Sequence, residues 1–110
     1  MTVVLVDGRN VMRSRWPNVP EEELVERVQR WAESEGVKPV IVFDGNAPEG
    51  AIGTKGESAD DWIAREAGGL DGSYWLVTSD RELRERAGGG AERVIGGGAF
   101  LRELGLSPGD

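Results

Sequence analysis

The sequence contains neither cysteine nor histidine. Without cysteine there is no disulfide frame and no thiolate metal site. Without histidine, a Ser-His-Asp triad, a Cys-His pair and a histidine-ligated zinc site are all excluded. Any enzymatic chemistry must therefore run on carboxylates, through a hard, oxygen-seeking ion such as Mg²⁺ or Mn²⁺. Long apolar runs are missing too: none approaches the roughly 20 residues needed to cross a membrane. The opening MTVVLVDGRN has no basic stretch before its apolar run, so it does not read as a signal peptide, and a cytoplasmic location is expected. Positive charge is scarce, with a formal net charge of −7. That argues against a protein that coats nucleic acid, which would normally be basic. The objection weakens if several acids share one pocket and a cation neutralises them.

What is present fits one domain spanning 1–110, with a core from about 2 to 104 and a short C-terminal Ser-Pro-Gly tail. A chain of this length buries roughly 60–70% of its unfolded surface, enough for one core. Thr2 to Val6 is a β-branched, wholly apolar run, the pattern of a strand buried on both faces of a parallel sheet. Pro20 to Glu35 is an amphipathic helix with Leu24, Val25, Val28, Trp31 and Ala32 in one stripe, acids at its start and Gly36 at its stop. Val40 to Phe43 is a second buried strand. Asn46 to Gly56 reads as an irregular loop. Ser58 to Gly68 reads as a helix capped by Ser58, Tyr74 to Thr78 as a third strand, and Ser79 to Ala87 as another helix. Arg93 to Ile95 forms a short fourth strand and Gly97 to Leu104 a last helix. Strands alternating with helices imply right-handed crossovers and a Rossmann-like three-layer α/β domain, with a mainly parallel four-stranded sheet flanked by helices.

Three of these strands run straight into an aspartate: Asp7, Asp44 and Asp80. In open parallel sheets, ligands bind outside the carboxyl ends of the strands. Acids placed there converge although dozens of residues separate them, repel one another, and are relieved by a divalent cation. Each also has a plain structural reading. Asp-Gly is a common turn pair at 7–8 and 44–45, and Ser79-x-x-Glu82 has the form of a capping box. In Glu57-Ser58-Ala59-Asp60-Asp61-Trp62-Ile63 the apolar face is set by Ala59, Trp62, Ile63, Ala67 and Leu70. At about 100° per residue, Asp60 lies about 70° from the centre of that face and Asp61 points away. Asp60 is thus expected to look toward the other acids and Asp61 to sit in solvent. Glu57 could reach the same side as Asp60, although acids at 57, 60 and 61 also suit a helix N-terminus.

The successive segments Val6-Asp7-Gly8-Arg9-Asn10-Val11, Val42-Phe43-Asp44, Glu57 to Ile63 and Val77-Thr78-Ser79-Asp80 resemble, in order and approximate spacing, the motifs of the YacP-like NYN domains. These belong to the wider PIN-like nuclease group, and the resemblance spans about Val3 to Leu104. It implies a ribonuclease dependent on one or two Mg²⁺ or Mn²⁺ ions, with metal-site roles for Asp7, Asp44, Asp60 and Asp80. It makes Asn10 a polar partner of the site and Glu57 a further acid of the set. The glycine-led Gly96 to Leu101 resembles the closing helix of PIN-like domains. Where many relatives carry an aspartate two residues after the Ser-Asp pair, this chain has Glu82. The stretch between Asp44 and Glu57 is short, which predicts the loss of an edge strand and a sheet order of 2-1-3-4 for the chain's own four strands.

The expected reaction is hydrolysis of single-stranded RNA, with one or two ions held by Asp7, Asp60 and Asp80, and Asp44 beside them. Arg9, Arg13, Arg15, Lys55, Arg81 and Arg84 sit on loops or first turns where they could hold phosphates, or serve as solvated charges. Trp16 could stack on a base, while Trp31 and Trp62 read as core. The ribosome is a candidate partner for delivering substrate; DNA and membranes are not expected partners. Two rival readings remain: a catalytically inactive RNA- or ribosome-binding module of the same fold, and a metal-dependent phosphatase.

Overall fold

In the computed structural model, which describes residues 1–106, the chain begins with β1 (Val3–Asp7) at the middle of the sheet. Its Val4, Leu5 and Val6 have no solvent exposure. Alternation along the strand sends Val4 and Val6 into one apolar cluster and Leu5 into another. This explains why the run has no polar position: both faces are covered. After β1 come α1 (Gly8–Met12), α2 (Glu21–Glu35), β2 (Lys38–Asp44), β3 (Ile52–Thr54) and α3 (Ala59–Gly69). The chain closes with β4 (Tyr74–Val77), α4 (Arg81–Ala87), β5 (Arg93–Ile95) and α5 (Gly97–Leu104).

The sheet order is β3-β2-β1-β4-β5, and every neighbouring pair is parallel. One layer packs Leu24 and Val28 of α2 and Phe100 and Leu101 of α5 over Val4, Val6, Ile41 and Phe43. The opposite layer packs Ala59 and Ile63 of α3 and Leu83 of α4 over Leu5, Val42 and Leu76. Trp31 joins the first layer, edge-on to Phe100 with ring centroids 4.9 Å apart, and Trp62 lies against the second. Among the described residues no helix is long and apolar enough to cross a membrane. The expected Ser-Pro-Gly tail lies outside the described residues.

The four strands read from sequence have the expected relative order, but the sheet has five. The edge strand expected to be lost is present as β3. It pairs only through Val42↔Ile52, Phe43↔Gly53 and Asp44↔Thr54, so the short loop after β2 suffices to bring the chain back beside it. A Cβ at Gly53 would strike the Gly45 carbonyl oxygen, so this pairing needs a glycine in the middle of the strand. A three-residue strand with a central glycine has almost no β signature.

The short α1 was also not foreseen. It starts directly at Gly8, whose missing Cβ makes room for the Phe43 ring; a Cβ there would lie 2.7 Å from the nearest ring atom. Ser58 caps α3, accepting from the Asp61 amide at 3.0 Å. The capping box read at Ser79 is a different device: the cap of α4 is Asp80, whose Oδ1 accepts from the Leu83 amide at 3.0 Å.

Because Phe43 is 1% exposed and hemmed in, a methyl group at position 8 forces overpacking. Gly8→Ala should destabilise the protein by about 1–3 kcal/mol. Urea unfolding monitored by tryptophan fluorescence measures it, and an unchanged midpoint would show that the ring yields freely.

Candidate functional site

An all-parallel sheet puts every strand's carboxyl end on one edge, so Asp7, Asp44 and the segment after β4 arrive together. There, Asp7, Arg9, Asn10, Arg13, Asp44, Asp60 and Asp80 line one open cleft of about 140 Å³.

Each of three aspartates has one oxygen fixed by the protein. Asp7, only 5% exposed, accepts at Oδ2 from the Thr78 hydroxyl at 3.0 Å. That hydroxyl in turn accepts from the Asp80 amide at 3.1 Å. Asp80 uses Oδ1 to cap α4. Asp44 accepts at Oδ1 from the Ala59 amide at 2.7 Å, and so pins the first turn of α3, where Asp60 follows. One side of each carboxylate is spent on orientation.

Burial pushes the Asp7 carboxyl up to about 6, against a relieving hydrogen bond from Thr78, and the charges of Asp60 and Asp80 push the same way. Asp60 is also raised, first by burial and then by the carboxylates of Asp80 and Asp44. These acids share one field. Asp61 leaves it, forming an exposed ion pair with Arg86 at 2.9 Å.

Not every expected residue reaches the cleft. Glu57 turns to Arg65, with Oε2 accepting from Nη2 at 2.9 Å, and that hydrogen bond holds its carboxyl below the usual range. Arg15 is committed to backbone carbonyls, Leu106 at 2.8 Å and Pro17 at 3.1 Å. Arg84 donates from Nε to the Thr78 carbonyl at 2.9 Å. Arg81 and Lys55 are exposed and outside the cleft lining. Trp16 is 84% exposed, on the segment between α1 and α2. Of the expected cations only Arg9 and Arg13 line the cleft.

Two residues with no site role in the sequence reading, Thr78 and the expected cap Ser79, organise the site. Thr78 ties Asp7 to the Asp80 amide. Ser79 donates its amide to Asn10 Oδ1 at 2.8 Å and accepts at Oγ from the Gly97 amide at 2.8 Å, joining α1, the β4–α4 connection and α5. The available signal was the polar Thr-Ser pair wedged between an apolar strand and Asp80.

The donor set is all oxygen, which fits Mg²⁺ or Mn²⁺ and no softer metal. Among the described residues no three acidic side chains approach closely enough to enclose an ion by themselves. An ion placed there would need waters to complete its shell.

No family model and no curated protein matches the sequence. Solved structures do. A crystal structure of Rae1 (YacP) from Bacillus subtilis, a point mutant, superposes with a TM-score of 0.76 at 24% identity, covering 96% of this chain and 76% of that one. Another structure of Rae1 (YacP) gives a TM-score of 0.72 at 25% identity, covering 96% and 74%. The resemblance to the YacP-like family read from the motifs is therefore borne out at the level of structure, and the chain has that α/β fold.

The Asp7 carboxyl binds its proton more tightly folded, at about 6, than unfolded, at 3.8. Its burial is therefore harmless at low pH, and stability is lost as pH rises from about 4 through about 6. The span is worth at most about 3 kcal/mol. Asp7→Asn keeps an acceptor for Thr78 and removes the charge. It should stabilise the metal-free protein at pH 8 and lose that advantage near pH 4. Urea titrations at both pH values decide it; equal midpoints at pH 8 would mean that Asp7 is not strained.

Proposed function

We propose that this protein is a divalent-metal-dependent ribonuclease, a hydrolase that cuts phosphodiester bonds of single-stranded RNA, most simply as an endonuclease. The observation that carries the reading is the gathering of Asp7, Asp44, Asp60 and Asp80 around one cleft, where Arg9 and Arg13 are the cations in the lining among the described residues. The YacP-like fold supports it, because the acids occupy the strand-end edge where open α/β sheets bind ligands. Fold alone would not suffice, since one fold hosts many chemistries.

Asp7, Asp60 and Asp80 would hold one or two Mg²⁺ or Mn²⁺ ions, with Asp44 beside them. When bound, the ion supplies Lewis acidity, making water a better nucleophile and offsetting phosphate charge. The chain's own residues set the geometry. Thr78 and the amides of Leu83 and Ala59 hold the Asp7, Asp80 and Asp44 carboxylates in place before substrate arrives, which reduces the reorganisation needed during the reaction. Arg9 and Arg13 offer donors to the phosphates flanking the scissile bond. With a net charge of −7 the protein exerts no long-range attraction on a polyanion. A larger RNA-bearing partner such as the ribosome would bring substrate to it.

Labelled single-stranded RNA, double-stranded RNA and single-stranded DNA of one sequence, incubated with Mn²⁺, Mg²⁺ or EDTA, test the reading. Cleavage should be confined to single-stranded RNA with metal. Cutting in EDTA, or preference for DNA, would sink the assignment. Asp80→Asn should lower cleavage by about 10²-fold or more, and Asp60→Asn should cost far more than Asp61→Asn. Equal losses at 60 and 61 would contradict the division of those acids between cleft and solvent. Millimolar Mn²⁺ should also raise the melting temperature, because a cation that binds only the folded state stabilises it.

A further inference from the structure

Asn10 sits on α1 among the acids, lining the cleft, and it is the one uncharged side chain there. Its amide orientation is fixed by chemistry. The Ser79 backbone N–H can only donate, so the atom it meets at 2.8 Å must be the Asn10 oxygen. The same end of the side chain faces α5, where a Cβ at Gly97 would lie 3.4 Å from Asn10 Oδ1. The oxygen is thus engaged by Ser79 on the α5 side, and the end of Asn10 left unengaged is its Nδ2 group, which only donates. Among the described residues this NH₂ has no hydrogen-bond partner.

A donor cannot ligate a cation. The geometry points to Asn10 as a substrate-positioning residue, not a metal ligand, whose Nδ2 donates to an acceptor oxygen of the ribose-phosphate backbone of the RNA. This rests on the ribonuclease reading above and assigns this residue's part in it. The placement has a physical logic. Four carboxylates repel a phosphodiester, and a cation bound among them corrects charge but not register. A neutral donor held by Ser79 adds direction without competing for the ion. Ser79 in turn is held by the Gly97 amide at 2.8 Å, so the NH₂ is braced from α1, the β4–α4 connection and α5.

Asn10→Asp and Asn10→Ala separate the two ends of the amide. Aspartate still accepts from the Ser79 N–H but offers an acceptor where the donor was; alanine loses both. The assay is steady-state cleavage of a single-stranded RNA oligonucleotide with Mn²⁺. Thermal unfolding without metal reports folding, and the Mn²⁺-induced melting shift reports metal binding. Asn10→Asp should raise KM about tenfold or more, a loss as large as that of Asn10→Ala, while its Mn²⁺ shift stays at or above wild type. If Asn10→Asp cleaves with wild-type KM while Asn10→Ala is impaired, the side chain serves only to hold Ser79 and the inference fails. If Asn10→Asp loses its Mn²⁺ shift while folded, Asn10 acts on the metal site and the inference also fails. A wild type that cuts no RNA would instead refute the ribonuclease reading itself. Replacing single riboses by deoxyribose identifies the acceptor. A 2′-hydroxyl contact makes the deoxy penalty vanish in Asn10→Asp, and a phosphate contact leaves it additive; either result upholds the donor role.

Discussion

A carboxylate at the end of the central strand is the constraint around which this edge of the molecule is arranged. Asp7 follows three fully buried residues and is itself 5% exposed, paired with Val42 of β2 one residue beyond the end of the β4 pairing. A charge in that position needs hydrogen bonds or a counter-charge. The protein supplies a hydrogen bond from the Thr78 hydroxyl and a weaker one from the Asn10 backbone, and no cation close enough to form an ion pair among the described residues. It then adds Asp60 and Asp80 to the same field. An arrangement that served stability alone would do the reverse. The repulsion is retained where the sheet opens, and perturbed acids in a cleft are a physical mark of a working site.

The organisation around Asp7 follows a common rule, in which one oxygen of a cleft-lining aspartate answers to the fold. Asp80 caps α4 and Asp44 captures the Ala59 amide. The structural and functional readings of these residues, which in the sequence look like alternatives, describe the same side chains. A turn or cap aspartate at a strand end is already oriented, and orientation is what the proposed metal site would need.

The buried strands were legible because a wholly apolar run at the centre of a parallel sheet has no competing explanation, and the helix phase alone divided Asp60 from Asp61. What escaped reading was short or depended on tertiary contact. β3 carries three residues and a glycine, and its pairing comes from the Gly53–Gly45 approach, not from propensity. α1 fills the five residues straight after β1, with no polar cap side chain bonded at its start. Ser79 satisfied a capping pattern, but the Gly97 amide, 18 residues away, claimed its hydroxyl and left the cap to Asp80. Among site residues, the pattern could place acids at strand ends. It could not show that Glu57 would prefer Arg65, nor that Arg15 and Arg84 would be spent on backbone carbonyls.

The same burial that strains Asp7 makes protons and cations rivals for one position. Burial raises the Asp7 carboxyl to about 6, so on the proposed reading a cation arriving in mildly acidic solution would have to displace a proton from it. At pH 8 the proton is gone and the repulsion is fully expressed, so a cation then relieves the most strain. If an ion binds there as proposed, the free energy withheld from folding above pH 6 would reappear as affinity for it, because binding to the folded state alone returns it. A site that is open, acid-lined and short of protein ligands can still hold a hydrated ion usefully on these terms, since part of the driving force is the relief of its own carboxylates.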